Sequence, residues 1–406
     1  MLGLPPSLYD VVLSYGTHPR SRRVTLRTGW VVGPLSRCNC PRSSRLRHEV
    51  GQLANPALNI EARRSESLPA VFHRYRSEIS AALRESLAGD GLAVNRMLRY
   101  SMGWADVYGN PIAATEGKTL RPTLCLLACE ATGGSARKAL PAAVSLELIH
   151  NFSLIHDDIQ DHDEMRRHRR TLWAVWGEPK ALVAGNALRT IANRCLWRLV
   201  DGGVGFPAAL DVEKTLTAAY LDMIEGQFLD LQYEGRPDIG LSDYLGMISL
   251  KTGALIRCAL VLGAMIGTND PRTVDAFRQC GRSLGLVFQV RDDILGVWGE
   301  EEFTGKPVGA DIRRKKNAFP VVYAMSQARG RDKGKLEEIY RKPTVGDEEV
   351  ATVLRIMQKV GARQYGEDLA AEHSKLAMNA LSAVELAPEA LADIWEVSQF
   401  LLVREH

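Results

Sequence analysis

The run Ser153-Leu-Ile-His-Asp157-Asp158-Ile-Gln-Asp161 places three carboxylates at the end of an apolar segment containing Leu146, Leu148, Ile149, Phe152, Leu154 and Ile155. At helical spacing Asp157 and Asp161 share a face one turn apart, where they can bridge hard cations through oxygen, while Asp158 faces partly sideways. A second run, Phe288-Gln289-Val290-Arg291-Asp292-Asp293-Ile294-Leu295-Gly296, also brings a buried-looking helix to an acidic end. Carboxylates clustered without His or Cys favour Mg²⁺, which prefers oxygen and is commonly shared with substrate phosphates. Either run alone could be a solvated helix end. Two that can face each other imply a metal-bound diphosphate.

Cations complete the set. Lys118 and Arg121 stand in Gly117-Lys-Thr-Leu-Arg-Pro122, Arg166 and Arg167 follow the first acidic run, Lys251 opens Lys-Thr252-Gly253, and Lys306 and Lys316 follow the second run. Singly, each is an ordinary surface charge. Together they suit two anionic headgroups, one held through metal and one by direct guanidinium and ammonium contacts.

These residues must be positioned by helices. From Ser67 onward, apolar residues recur at helical period, as in Val71, Tyr75, Ile79, Ala82 and Leu83, and period-two strands are missing. Breaks fall at Gly133-Gly134, Gly202-Gly203, Pro237-Asp238, Asn269-Asp270-Pro271 and the charged stretch from Arg329 to Lys335. The expectation is an all-α chain of about ten helices in one large bundle over 67–406. The preceding 1–66 read as a basic, arginine-rich disordered extension: an organelle transit peptide, a bacterial-type addition or the result of a misplaced start codon.

Composition narrows the function classes. The net charge of +3 over 406 residues does not call for nucleic acid, and no apolar run reaches the roughly 18 to 20 residues of a membrane span. Seven cysteines in this length are no disulfide scaffold, so a cytoplasmic setting is expected. Cys125 and Cys129 have core spacing. Cys38 and Cys40 lack a second pair at zinc spacing.

At these residues the chain resembles the trans-prenyl diphosphate synthases, the family of farnesyl and geranylgeranyl diphosphate synthases. The match runs from about Met97 to Ala324 in order: Gly-Lys-x-x-Arg-Pro, the first acidic run with Arg166-Arg167, Gly226-Gln227-x-x-Asp230, Lys251-Thr252-Gly253, and the second run followed by Thr304-Gly305-Lys306. The resemblance implies an isoprenoid-synthase bundle around an apolar cavity, a homodimer, and condensation of isopentenyl diphosphate with an allylic diphosphate. It implies about three Mg²⁺, two on Asp157 and Asp161 and one on Asp292, with Asp158 beside them. Arg166, Lys251, Gln289 and Lys306 would grip the allylic headgroup, with Thr252 beside them and Lys316 nearby. Lys118, Arg121, His150 and Arg167 would take isopentenyl diphosphate. Phe152, with Ile149 and the small Ser153, would set chain length, and C20 is the product expected.

Four positions depart from the family's pattern. His168 and Arg170 replace Gly and Pro after the arginine pair, Asn186 replaces an Asp, and Gly296 replaces the last Asp of the second run. The last leaves Asp292 and Asp293 in place; His168, Arg170 and Asn186 raise an alternative, a weakly active or regulatory subunit of a heteromeric synthase. A class I terpene cyclase is a second alternative. The Lys118, Arg121 and Arg167 set argues against it, since a cyclase needs no second diphosphate site.

Overall fold

Apolar stripes with few β-branched interruptions make most of this chain helical in the computed structural model, which describes residues 68–88, 93–113, 117–299 and 308–404. In chain order the helices are α1 (Ala70–Ser86), α2 (Asn95–Ser101), α3 (Leu120–Ala131), α4 (Ala136–Gln160), α5 (Leu172–Trp176), α6 (Glu178–Asp201), α7 (Phe206–Tyr233) and α8 (Leu241–Lys251). They continue with α9 (Gly253–Gly267), α10 (Pro271–Trp298), α11 (Ala310–Arg313), α12 (Phe319–Gln327), α13 (Gly330–Arg341), α14 (Asp347–Lys359), α15 (Ala362–Leu381) and α16 (Pro388–Val403). A two-stranded hairpin, β1 (Met165–Arg166) and β2 (Arg169–Arg170), follows α4.

Helices α3 and α9 are apolar almost all round and form the centre. Leu124 to Cys129 are fully buried, as are Leu255 to Ala264 to within a few per cent apart from Arg257, which pairs with Asp222. Helix α9 lies between α3 and α10, and α4 packs along α6. This arrangement carries the acidic ends of α4 and α10 on inner helices. The expected breaks hold at Gly133-Gly134, Gly202-Gly203 and 237–238, and α10 starts where Asp270 accepts from the Arg272 and Thr273 N–H groups ahead of Pro271.

Three expectations need correction. Sixteen helices are described rather than about ten; breaks at Gly177 and Thr252 account for two of the additional ones, splitting what reads as continuous periodicity. The hairpin was not foreseen. The stretch Arg329 to Lys335 is not a turn: α13 starts at Gly330, its Leu336, Ile339 and Tyr340 bury one face, and Glu337 pairs with Arg341. No single helix among the described residues is long and apolar enough to cross a membrane. The bent pair α8 and α9 is apolar in sum, but α9 is core. The basic extension, Cys38, Cys40, Lys306 and the boundary at Ser67 lie outside the described residues.

Candidate active site

A cavity of about 560 Å³ opens where the ends of α4, α7, α8 and α10 meet the α11 turn. Asp161, Asp230, Lys251, Thr252, Gln289, Asp292, Asp293 and Lys316 all line it. The two acidic runs therefore face one space, together with four of the polar and basic residues expected there.

Asp161 caps α4 and is exposed at the mouth. Asp157 sits one turn deeper; burial pushes its carboxyl up to about 6, although Lys251 opposes the shift. Asp158 is buried and points sideways, as its spacing predicts. Its Oδ1 accepts from Arg166 Nε at 2.6 Å, and burial still lifts it to about 6.

Lys251 ends α8 and reaches Asp230 of α7 at 2.5 Å. Burial works against its charge, but Asp230, Asp157 and Asp161 together outweigh that and hold it above the usual lysine range. This contact needs Gly226, because a Cβ there would run into the main chain of Leu250 and Lys251. Thr252 sits in the break between α8 and α9 and donates to Gln289 Oε1 at 2.6 Å. Gln289 in turn donates to Asp293 at 2.9 Å, and Asp293 also accepts from the Tyr244 hydroxyl and from Phe319 N–H at 2.8 Å. Burial raises Asp293 to about 7. Asp292 differs: its side chain is 57% exposed, and Oδ1 accepts from Arg404 at 3.2 Å.

Beside this acidic mouth lies a cluster of cationic side chains, with Asp292 and Glu147 as anions near it. Burial pulls Lys118 down to about 8, with Arg404 and Arg167 adding to the shift and Asp292 opposing it. Arg121 is buried in the first turn of α3, lowered to about 10, and its Nε has no hydrogen-bond partner. His150 is held well below the usual histidine range by burial, then by Arg121, Arg167 and Arg166, so it is a neutral imidazole at pH 7. Glu147 faces Arg121 and Arg167, and burial raises it. Such a group is arranged for an incoming anion.

The departures are resolved locally. Arg167 (φ 50°) and His168 (φ 62°) form the two-residue turn of the hairpin, a pair of left-handed residues that matches strand twist. Histidine takes the place of glycine there at some strain. Replacing His168 by Gly is expected to stabilise the chain by about 1 kcal/mol, read as a melting temperature about 2 °C higher. An unchanged or lower value would show that the imidazole makes a compensating contact. Arg170 forfeits nothing by not being proline. It is opposite Met165, the flanking pair Glu164 and Thr171 carries the ladder bond at 2.9 Å, and the Arg170 carbonyl accepts from Tyr100. Asn186 is exposed on α6, and its side chain has no hydrogen-bond partner among the described residues.

Behind Asp157, Phe152 is buried with its ring 4.5 Å from that of His156 and 5.7 Å from Tyr220 of α7. Ile149 is fully buried, and Ser153 spends its hydroxyl on the His150 carbonyl at 2.8 Å. Reasoning from the sequence assigned no role to Tyr220, Asp230, Tyr244 or Arg404. Asp230 stood in a quoted motif; Arg404 had no local signal.

The donors toward the mouth are oxygens only. Among the described residues no three Asp, Glu, His or Cys side chains gather into a complete cation cage. A cation bound at the mouth would need substrate oxygens and water to complete its shell, the coordination that Mg²⁺ favours.

A family model described as Polyprenyl synthetase matches residues 105–357. The (2E,6E)-farnesyl diphosphate synthase of Mycobacterium tuberculosis is 36% identical over 315 residues, covering 76% of this chain and 86% of the relative. The geranylgeranyl diphosphate synthase of the same organism is 35% identical over 339 residues, 83% and 94% of the two chains. Among solved structures, a polyprenyl synthetase from Streptomyces coelicolor superposes with a TM-score of 0.77 at 35% identity, covering 82% of this chain and 98% of that one. With the geometry above, these similarities establish that the chain belongs to the polyprenyl synthetase family.

Proposed function

We propose that this trans-prenyl diphosphate synthase condenses isopentenyl diphosphate with allylic diphosphates up to C20, using Mg²⁺ held by Asp157, Asp161 and Asp292. The observation that carries the reading is the division of the site into an oxygen-rich mouth and an adjoining cluster of cationic side chains, Lys118, Arg121 and Arg167. The relatives themselves are named for C15, C20 and longer products, so chain length rests on this chain's own residues.

The allylic headgroup would sit in the mouth against Lys251, Arg166 and Gln289, with Thr252, Lys306 and Lys316 around it. Bound Mg²⁺, about three ions by family resemblance, supplies charge neutralisation of the leaving diphosphate. The cationic side chains share that task as the allylic C–O bond ionises. Lys118, Arg121, the neutral His150 and Arg167 would hold isopentenyl diphosphate, so that its double bond forms the new C–C bond with the cation. The departed diphosphate accepts the proton lost from the adduct, and no protein nucleophile is required. Apolar walls exclude water from the cation.

The product would grow along α4 past Ser153 toward Phe152 and Ile149; the Phe152 ring, packed 5.7 Å from that of Tyr220, supports a floor at that level. A homodimer is supported by the apolar stripe Leu221, Ile224, Phe228 and Leu231, which is exposed along one side of α7. Five buried free cysteines among the described residues fit a reducing compartment, the cytoplasm.

Incubating the purified chain with Mg²⁺, labelled isopentenyl diphosphate and C5, C10 or C15 allylic diphosphates tests the reading. Products ending at C20 are expected. No condensation without a partner chain would favour the regulatory-subunit alternative, and cyclic hydrocarbons from the allylic substrate alone would favour a cyclase.

A further inference from the structure

Arg169 stands in β2 directly opposite Arg166 of β1. Like charges opposed across a hairpin weaken it. Arg166 is relieved by the buried Asp158 carboxylate at 2.6 Å, whereas Arg169 has no carboxylate partner among the described residues. Its guanidinium donates from Nη1 to the Tyr100 carbonyl at 3.1 Å and from Nη2 to the Ala105 carbonyl at 2.8 Å, and lies over the Tyr100 ring at 4.2 Å. A planar fork serves two carbonyls and a ring face at once, which a lysine ammonium does not.

The receiving element is itself braced. Tyr100 is buried at the end of α2, its ring edge-on to Trp176 at 5.0 Å, and its hydroxyl donates back to the Arg170 carbonyl at 2.7 Å. Ala105 leads into a turn in which Asp106 Oδ1 accepts from the Tyr108 and Asn110 N–H groups, both at 2.9 Å. The hairpin and α2 therefore grip each other from both sides.

Arg167 rides on this hairpin as the first residue of its turn. Its guanidinium lies against Gly117, where a built Cβ would come within 3.1 Å of Nη1, and so beside Lys118 and Arg121. Space to turn elsewhere is at hand: a second cavity, of about 100 Å³, is lined by Tyr100, Gly117, Arg167 and Arg169.

We propose that Arg169 and Tyr100 are positioning residues for Arg167: their clamp fixes the hairpin and keeps the Arg167 guanidinium at Gly117 instead of turned into that cavity. Arg166, tied separately to Asp158, does not depend on the clamp. The adjacent arginines are thus aimed by different neighbours, Arg166 by α4 and Arg167 by α2. The inference rests on the reading that Arg167 binds isopentenyl diphosphate.

The test is steady-state kinetics on the full chain with Mg²⁺, each diphosphate varied at saturation of the other, with circular dichroism to check folding. Arg169→Leu is expected to raise KM for isopentenyl diphosphate roughly tenfold, since a contact to a charged group carries about one to two decades of affinity. KM for the allylic diphosphate should stay within about twofold of the wild type. Tyr100→Phe, which keeps the ring and loses only the hydroxyl bond, should move the same constant in the same direction, and it carries the comparison if Arg169→Leu does not fold. Arg167→Ala is the control and should raise that constant at least as far. Adding Arg169→Leu to Arg167→Ala should change little more, because both act through one side chain. A merely structural role would lower the active fraction and leave both constants as they are. Unchanged constants in the folded clamp variants, or equal rises for both substrates, with Arg167→Ala impaired, would overturn the inference and leave the role of Arg167 standing. Additive effects in the double variant would overturn it as well. If Arg167→Ala itself is normal, the reading of Arg167 falls.

Discussion

Replacing Asp157 or Asp292 by Ala is expected to lower turnover by roughly a thousandfold or more, since each substitution removes an oxygen ligand from the charge that drives ionisation. The two variants should part company in stability. Asp157 is held by burial at about 6, above the usual carboxylate value of 3.8. A carboxylate whose folded value is raised weakens the fold above its unfolded value, and this penalty is relieved as pH falls through the folded value. At pH 7 to 8 Asp157 is ionised and costs stability, so Asp157→Ala should melt at the wild-type temperature or above it. Asp292 is mostly exposed, but its partner Arg404 is only 7% exposed and has, among the described residues, one other hydrogen-bond acceptor, the Phe288 carbonyl at 3.1 Å. Asp292→Ala leaves that buried guanidinium without its counter-ion and should melt several degrees lower. Turnover near normal in either variant would remove it from the metal set. A strongly lowered melting temperature for Asp157→Ala would mean that its contact with Lys251 outweighs its burial.

Phe152→Ala is expected to lengthen the product beyond C20 and to destabilise the chain by about 3–5 kcal/mol, the usual cost of emptying a buried aromatic site. The ring lies five residues before Asp157, about 7.5 Å along α4 at roughly 1.5 Å per residue. It packs against His156 and against Tyr220, over which Arg189 stacks at 4.4 Å. With Phe152 gone, Tyr220 alone remains at that level, and Ile149 lies further back. Chromatographic sizing of the products separates two roles. A folded, active variant that still stops at the wild-type length shows that Phe152 is packing and not a floor. Longer products from Phe152→Ala, with Phe152→Leu stopping between that variant and the wild type, would show that volume at this position sets the limit.

The parts of the site carried on single helices were legible before any coordinates. Asp157 and Asp161 share a face because the α-helix repeats near 3.6 residues, and Asp158 turns sideways to Arg166 for the same reason. Gln289 and Asp293, four apart on α10, also meet as their spacing requires. Cys125 and Cys129 of α3 are core, as their spacing predicts. The hairpin escaped because strands of two residues leave no period to detect, and Arg167-His168 carries no glycine to announce its left-handed turn. Helix α13 escaped because a run of charge resembles a loop until its buried face is known.

What the sequence by itself determined is the all-helical class, the acidic and basic residues that act within one turn of each other, and through the order of its motifs the kind of chemistry. These follow from local periodicity and side-chain type, which require no knowledge of neighbours. Only the tertiary structure decided which distant groups share a space: Lys251 with Asp230, Tyr220 beneath Phe152, Arg404 on Asp292, and Asp311 against Gly296. Those contacts join residues far apart in the chain, so nothing in local spacing encodes them. They are set by how helices pack, where a glycine such as Gly226 or Gly296 admits a neighbour that any Cβ would exclude.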